Sequence, residues 1–282
     1  MSTSAEPDDS QKAVWSGAGG LGWVKVQGLI DRIFAPHAAV LVRAVADNSP
    51  KRLLDVGCGT GATTVAVALQ LSNNAHCVGI DISNVMIDAA NERAHSAGAE
   101  TAFICADAQT YSFAEGEFDL ILSRFGIMFF DDPIQAFRNL RKAASKGGKL
   151  LGIAWRDPED NPFMVAAERA TEQYLPGISK RSPGSPGQFG FADRNRVHNI
   201  LEHSGWSNVE ILPMDTLCAF PQSDLSLYLS NLGPVGQALK KVDDSLRQVI
   251  LNHLISVFDK YVVNGEVRFT ASCWLIRASN DA

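Results

Sequence analysis

Residues 53–70, LLDVGCGTGATTVAVALQ, decide the fold. A short apolar run is followed by three glycines within five residues, and the chain then continues in an apolar pattern typical of a helix. A strand that ends in a glycine turn and continues as a helix directs backbone N–H groups and the positive helix end towards one point. Glycine keeps that point free of Cβ atoms and permits a positive φ. The stretch therefore predicts a ligand site close to the backbone.

Strands and helices alternate on both sides of this turn. The apolar patterns predict strands at 51–56, 76–81, 101–107, 118–125 and 149–155, with helices at 63–70, 84–98 and 133–145 between them. This alternation predicts an α/β fold with a Rossmann-like, mostly parallel sheet and helices on both faces. Ligands of such sheets bind at the carboxyl ends of the strands.

The rest of the chain predicts one domain with a helical cover. We expect a flexible N-terminal tail at 1–20, a single domain at 21–282, and a ligand-binding core at about 50–155. A helix at 21–34 and a second helical stretch after Pro36 precede the core. Helical insertions at about 160–190 and 223–262 are expected to cover the ligand edge of the sheet.

The C-terminal half of the chain has three further predicted features. The loop 182–191 is rich in Pro and Gly, and Asp193 is placed to cap a helix that runs to His203. Strands are expected at 209–220 and 266–278.

Composition excludes several classes of partner. The formal net charge is -6, and no run of Lys and Arg exceeds two residues, so a nucleic acid is not the expected partner. No apolar stretch reaches the roughly 20 residues of a membrane span, and the first residues lack a signal-peptide pattern. The five cysteines lack metal-site spacing, so we expect no metal and a cytoplasmic protein with reduced thiols.

The glycines alone do not identify the ligand. Gly57, Gly59 and Ala62 also satisfy the dinucleotide-binding fingerprint, which leaves a nicotinamide-dependent oxidoreductase open. Three carboxylates discriminate better, because Asp55 precedes the first glycine by two residues and Asp81 and Asp107 end the next two strands. A carboxylate at Asp55 would repel a pyrophosphate, whereas one at the second strand can accept ribose hydroxyls.

Three acidic strand ends thus favour a positively charged adenosyl sulfonium. Simpler roles remain open for two of them, since Asp81 could cap the following helix and Asp107 could begin a turn.

Together with VGIDIS (78–83), CADAQ (105–109) and FDLILSRFGIMFFDDP (118–133), the opening stretch resembles the class I S-adenosylmethionine-dependent methyltransferases. It is most similar to bacterial small-molecule enzymes grouped with the ubiquinone and menaquinone C-methyltransferases. The resemblance covers about Leu53 to Trp155, with fainter similarity in GWVKVQ, FGFAD and TASCWLIRA. It implies a seven-stranded sheet in the order 3-2-1-4-5-7-6, whose last strand is antiparallel, and S-adenosylmethionine as the cofactor.

The resemblance also implies a site. The methionine end would lie at Asp55 and the glycines, the ribose at Asp81, and the adenine near Met86, Asp107 and Ala108. The complete cofactor set is Asp55, Gly57, Gly59, Gly61, Asp81, Ile82, Met86, Asp107, Ala108 and Ser123. The candidate substrate set is Trp23, Arg124, Phe125, Trp155 and Phe189.

Several residues keep two interpretations. Arg124 could meet the methionine carboxylate or an acidic substrate, or pair with Asp131 or Asp132 at the surface. Trp15 and Trp23 could cover the cofactor or pack on the core. Four further residues could border the substrate or only pack in the protein, namely Arg156, Asn161, Phe163 and Phe191. The pair Lys180-Arg181 could recognise an anionic group of the substrate or remain solvated.

No catalytic base is assigned. His37, His198, His203 and His253 lie in helical segments without triad or metal spacing, and Cys58 is expected to be a small filler in the loop. No NPPY-like motif follows the fourth strand, which argues against amino-methylation of nucleic-acid bases or glutamine.

The expected function is methyl transfer from S-adenosylmethionine to a small, mostly apolar acceptor, at carbon or oxygen before nitrogen. The sequence is also compatible with a homodimer. One alternative is a non-catalytic adenosyl-binding sensor or silent subunit. The other is an NAD-dependent oxidoreductase, which the carboxylates of Asp55 and Asp107 disfavour.

Overall fold

A central sheet organises the chain. The computed structural model describes residues 11–72, 75–178 and 184–281. The strands are β1 (Arg52–Val56), β2 (His76–Asp81), β3 (Thr101–Cys105), β4 (Phe118–Arg124), β5 (Ala144–Trp155), β6 (Ser207–Pro221), β7 (Val262–Val263) and β8 (Glu266–Ser279). They form one sheet in the order β3-β2-β1-β4-β5-β8-β6, with the two-residue β7 paired to β8.

The sheet confirms the predicted fold class. β1 to β5 pair in parallel, and β8 runs antiparallel between β5 and β6. With the short β7 set aside, this is the predicted order of seven strands with its antiparallel member in place. Five parallel strands therefore bring their carboxyl ends to one edge, where a ligand site is expected.

Eleven α-helices occur in the described part of the chain. They are α1 (Gln11–Ser16), α2 (Ala18–Lys25), α3 (Gln27–Asn48), α4 (Ala62–Leu71), α5 (Asn84–Ala97), α6 (Pro133–Ala143), α7 (Pro162–Thr171), α8 (Arg194–His203), α9 (Leu225–Asn231), α10 (Gly233–Leu239) and α11 (Asp244–Phe258). Asp193 caps α8 as predicted, because its carboxylate accepts hydrogen bonds from the backbone of Asn195 and Arg196. No helix in these ranges combines the length and the apolar character needed to cross a bilayer.

Two predictions about the N-terminal third were wrong. Residues 11–20, expected in a flexible tail, are helical and pack against the body of the protein through Trp15. Pro36 lies inside α3 and does not separate two helices. Proline removes one helical hydrogen bond, but Ile33, His37 and Leu41 form a continuous buried face across it, and their burial favours the unbroken helix.

The helical cover is built from α7 and from α9 to α11. Its aromatic side chains attach it to the sheet, since the Phe163 ring of α7 stacks on Phe269 of β8 with centroids 3.8 Å apart. The pair Lys180-Arg181 lies outside the described residues, so its two interpretations stay predictions.

Asn161, just before α7, joins the cover to the sheet by hydrogen bonds. It is fully buried, its Nδ2 donates to the carbonyl of Ser272 and its Oδ1 accepts from the Ser272 N–H, both at 2.9 Å. The side chain thus pairs with the backbone of β8 as a neighbouring strand would.

We predict that Asn161→Ala lowers the free energy of unfolding by about 1–3 kcal/mol, because it removes the Oδ1 that accepts from the buried Ser272 N–H, while the Ser272 carbonyl keeps the Arg156 N–H as a partner. Urea denaturation followed by circular dichroism measures this. Asn252→Ala, at an exposed position of α11, is the control and should change stability by less than about 0.5 kcal/mol. Equal effects of the two substitutions would contradict a structural role for Asn161.

Candidate functional site

A cleft of about 1260 Å³ opens at the carboxyl ends of the parallel strands. One half is formed by the glycine loop after β1 and by the ends of β2 and β3. The other half is formed by the ends of β4 and β5 and by the helical cover. The two halves are continuous, so a ligand in one can contact a ligand in the other.

The glycine loop keeps its backbone open to the cleft. Gly57, Gly59 and Gly61 all have positive φ, at 65°, 55° and 76°. A Cβ added at Gly59 would meet no atom within 4 Å, so the space beside it is available to a ligand. Gly57 and Gly59 line the cleft.

Gly61 has a different role from the one predicted. It is absent from the cleft wall and stands at the N-cap of α4. An added Cβ would lie 2.9 Å from Ala90 and from the Phe103 ring, so this glycine is required for close packing of the loop on α5 and β3.

Asp55 is the most buried acidic group of the cleft. Its side chain is 1% exposed, and its carboxylate accepts a hydrogen bond of 2.6 Å from the Thr64 hydroxyl. Burial raises the pKa of Asp55 to about 7, although the Thr64 hydrogen bond and the charge of Arg124 act in the opposite direction. A cation bound beside it would favour the ionised form.

Asp81 ties the second strand to the glycine loop. Its Oδ2 accepts from the Gly59 N–H at 2.8 Å, and its Oδ1 accepts from the Ser83 N–H at 3.0 Å. Burial raises the pKa of Asp81, and these backbone hydrogen bonds counteract the rise. Each oxygen has a further lone pair, so the carboxylate can still accept a ligand hydroxyl. The helix cap is supplied by Ser83 and not by Asp81.

The third strand brings Asp107 to the same cleft. Its carboxylate accepts from the Gln109 N–H at 2.8 Å and begins a turn, while the residue also lines the cleft. Asp107 therefore begins a turn, and its contact with a cofactor stays a prediction. Ile82, Met86 and Ala108 line the cleft beside it.

Ser123 lies behind the cleft wall. It is fully buried, its hydroxyl donates to the Val56 carbonyl at 2.7 Å, and the same oxygen accepts from the Gly126 N–H at 3.2 Å. With both interactions made inside the protein, Ser123 joins the ends of β1 and β4 instead of contacting a ligand, which differs from the predicted cofactor contact.

Arg124 points into the protein at the end of β4. It lines the cleft, its Nη1 lies 3.5 Å from the Phe34 carbonyl, and burial lowers its pKa. The carboxylates that act on it are Asp31 and Asp55, so the surface pairing with Asp131 or Asp132 is not the arrangement found.

Phe125 and Trp155 form a stacked pair in the middle of the cleft wall. Their ring centroids are 4.7 Å apart with an interplanar angle of 10°. Phe125 has a φ of 64°, which is costly for a side chain of this size. The stack provides an aromatic surface where the two halves of the cleft meet.

Trp15 and Trp23 lie at the cleft and also pack on each other, and their role as a cover over the cofactor stays a prediction. They line the cleft, and they pack edge to face with centroids 5.8 Å apart. The Trp15 carbonyl accepts a hydrogen bond of 2.6 Å from the Ser83 hydroxyl, which fixes α1 over the end of β2.

The remaining candidates separate into two groups. Phe163 and Phe189 line the cleft, whereas Arg156, Asn161 and Phe191 do not and serve packing or hydrogen bonding elsewhere. Sequence reasoning missed several lining residues, namely Thr60, Thr63, Met164, Tyr228, Leu229 and Phe258. Thr60 and Thr63 could have been found from their place in the glycine loop, but the cover residues carry no local motif.

The described residues contain no group of three or more His, Cys, Asp or Glu side chains that could hold a metal. His37 is fully buried, and burial lowers its pKa to about 4, so it stays neutral under ordinary conditions. What the cleft offers chemically is a set of carboxylates at the strand ends and, on the other side, a chamber lined mainly by aromatic and aliphatic side chains, with the buried Glu168 among them.

Comparisons with known proteins agree with this geometry. A family model described as a methyltransferase domain matches residues 53–148. An uncharacterised protein of Mycobacterium tuberculosis is 29% identical over 223 residues, which cover 77% of each chain. The demethylmenaquinone methyltransferase of Thermus thermophilus is 28% identical over 143 residues, 51% of this chain and 64% of that one. The crystal structure of the YcgJ protein of Bacillus subtilis shares the fold, with a TM-score of 0.56, 17% identity, and coverage of 87% of this chain and 98% of that one.

The raised pKa of Asp55 gives the stability of the ligand-free protein a pH dependence. A carboxyl that holds its proton more tightly when folded becomes destabilising as pH rises from about 4 to about 7, and the effect is constant above that. We predict that, relative to Asp55→Asn, the wild-type protein loses about 2–3 kcal/mol of stability between pH 5 and pH 8.

Chemical denaturation of both proteins at each pH measures this difference. Asp88→Asn, at an exposed position of α5, is the matched control and should follow the wild-type curve. Parallel curves for wild type and Asp55→Asn would show that Asp55 ionises normally in the folded protein.

Proposed function

We propose that this chain is a class I S-adenosylmethionine-dependent methyltransferase that methylates a small, mostly apolar organic molecule at carbon or oxygen in preference to nitrogen. The observation that carries the proposal is the division of one cleft into an acidic half and an aromatic half. The acidic half suits the cofactor, and the aromatic half suits an acceptor without a strong charge.

The residues of the acidic half fit S-adenosylmethionine. The open backbone at Gly59 allows close approach, and carboxylates are the groups that attract a ligand carrying an ammonium and a sulfonium. We assign the amino-acid end of the cofactor to Asp55 and the glycine loop, the ribose to Asp81, and the adenine to Met86, Asp107 and Ala108. Arg124, the cation beside Asp55, is assigned to the carboxylate of the cofactor.

The lining of the other half supports the acceptor class. Aromatic and aliphatic side chains of β5, α7, α9 and α11 and of two loops enclose it, and they are Phe125, Trp155, Phe163, Met164, Phe189, Tyr228, Leu229 and Phe258. Enclosure of this kind removes water from an apolar acceptor and stabilises its binding through the hydrophobic effect. A relative whose name gives demethylmenaquinone as its substrate is consistent with an acceptor of apolar character.

The residues of the protein need to supply little acid or base chemistry. Bound S-adenosylmethionine supplies an activated methyl group on a sulfonium leaving group. The protein has to orient the acceptor against that group and keep water out, which can supply most of the acceleration without a dedicated acid or base. The Phe125–Trp155 stack, at the junction of the two halves, is placed to orient the acceptor, and Trp15 and Trp23 close the cofactor side.

The aromatic half also bears on the alternatives. A silent cofactor-binding subunit has no need of an acceptor chamber, whereas this cleft extends well beyond the acidic half. A nicotinamide enzyme would have to bring a pyrophosphate to the glycine loop beside the buried carboxylate of Asp55, which opposes it.

The test of the proposed function is incubation of the purified protein with methyl-labelled S-adenosylmethionine and an extract of the organism that encodes it. We expect label in the organic-soluble fraction, where the product can be identified by mass spectrometry. Label confined to the protein or nucleic-acid fraction would overturn the acceptor class. Binding of S-adenosylhomocysteine with no labelled fraction would favour a silent subunit.

We predict that Asp81→Ala weakens S-adenosylhomocysteine binding by about 1.5–3 kcal/mol, because hydrogen bonds to a charged group are lost. Isothermal titration calorimetry measures the affinity, and a thermal melt confirms that the variant is folded. Asp88→Ala on the following helix should bind as the wild type does. An unchanged affinity of Asp81→Ala would contradict the ribose assignment.

A further inference from the structure

Two polar side chains lie in the aromatic half of the cleft, Tyr228 and the buried Glu168, and Tyr228 carries its hydroxyl on an aromatic ring of the wall. Of the four tyrosines in the sequence, Tyr228 of α9 lines the cleft and Tyr111, Tyr174 and Tyr261 do not. Tyr228 is partly exposed, and its neighbours along this wall are Phe163, Leu229 and Phe258. Its hydroxyl is therefore a polar group in a mostly apolar surface.

The ring of Tyr228 is held in place by aromatic contacts. It stacks on Phe220 with centroids 5.4 Å apart and packs against Phe163 at 5.7 Å. Phe220 belongs to β6, and Phe163 is itself stacked on Phe269 of β8. The ring rests on side chains of the sheet, so its hydroxyl has a defined position before any ligand binds.

The hydroxyl makes no hydrogen bond to another group among the described residues. Tyrosine hydroxyls in enclosed places usually have a partner, and an unpaired one is costly. Burial raises the pKa of the Tyr228 phenol, and the nearby Glu168 carboxylate acts in the same direction. A phenol in its protonated form is a hydrogen-bond donor.

We propose that Tyr228 is a specificity-determining residue whose hydroxyl donates a hydrogen bond to an oxygen atom of the methyl acceptor. The proposal rests on the proposed function, since it refines the acceptor of the same site. It specifies a planar ring compound that carries a phenol, enol, ether or carbonyl oxygen. The aromatic wall binds the ring, and Tyr228 selects for the oxygen and sets the orientation of the ring in the chamber.

The experiment measures binding to the protein saturated with S-adenosylhomocysteine, by isothermal titration calorimetry at pH 7.5. Three probes share one ring system, namely naphthalene, 1-methoxynaphthalene and 1-naphthol. Naphthalene cannot accept a hydrogen bond at oxygen, the ether can only accept one, and the naphthol can do both. We expect the two oxygenated probes to bind the wild type roughly tenfold more tightly than naphthalene, the effect of one net hydrogen bond.

Tyr228→Phe keeps the ring and removes the hydroxyl. It should bring both oxygenated probes to the affinity of naphthalene and leave the affinities of naphthalene and S-adenosylhomocysteine unchanged. Tyr261→Phe is the matched control, because Tyr261 contacts the same Phe163 ring at 5.0 Å but does not line the cleft. This control should keep the full preference for oxygen.

Three outcomes would overturn the proposal. They are a wild type without the preference, a preference that survives in Tyr228→Phe, or no binding of any probe to the wild type. A preference for 1-naphthol alone would show that the recognised group donates its proton, which also contradicts a donating Tyr228. Failure of the proposed function has a different signature, in which the oxygen preference is intact but no labelled methyl group reaches the organic fraction.

Discussion

The structure depends on a direct backbone contact between the ends of β1 and β4. Gly57 and Gly126 approach so closely that a Cβ on Gly126 would lie 2.5 Å from the Val56 carbonyl and 2.7 Å from the Gly57 Cα. No side chain fits between the two loops, and the buried Ser123 hydroxyl bonds to both. The loop that borders the acidic half is thereby held at a fixed distance from the turn that carries Phe125.

This constraint explains an otherwise unfavourable conformation. Phe125 has a positive φ, which the tight turn at Gly126 imposes and which stacking on Trp155 helps to stabilise. The strain lies at the junction of the two halves of the cleft, where the placement of an acceptor relative to the cofactor matters most. A similar compromise holds for Asp55. Its burial lowers the stability of the protein in the absence of a cationic ligand, and it holds the carboxylate in position to attract such a ligand.

The core of the fold and the acidic half of the site were accessible from the sequence because their signals are local. Apolar strands, the glycine turn and one carboxylate at each strand end occupy short segments, and the parallel topology brings those ends together. Local sequence patterns gave the wrong secondary structure where tertiary packing determines it. Pro36 remains inside a helix, and the helices of residues 11–20 are held in place by Trp15. Ser123 was expected at the tip of the fourth strand and Gly61 in the glycine loop, where both lie, but only their neighbours reveal that they act within the protein.

The sequence by itself determined the class of fold and the acidic strand ends of the cleft, since each follows from residues adjacent in the chain, whereas the strand order was implied by the resemblance to a known family. Tertiary structure alone decided the aromatic half. Phe163, Tyr228 and Phe258 lie in three separate helices without a shared motif, and they meet because strands β6 and β8 position the cover over the sheet. Side-chain packing across distant segments has no short-range pattern, so the aromatic half of the cleft and the place of Tyr228 in its wall became visible only in three dimensions.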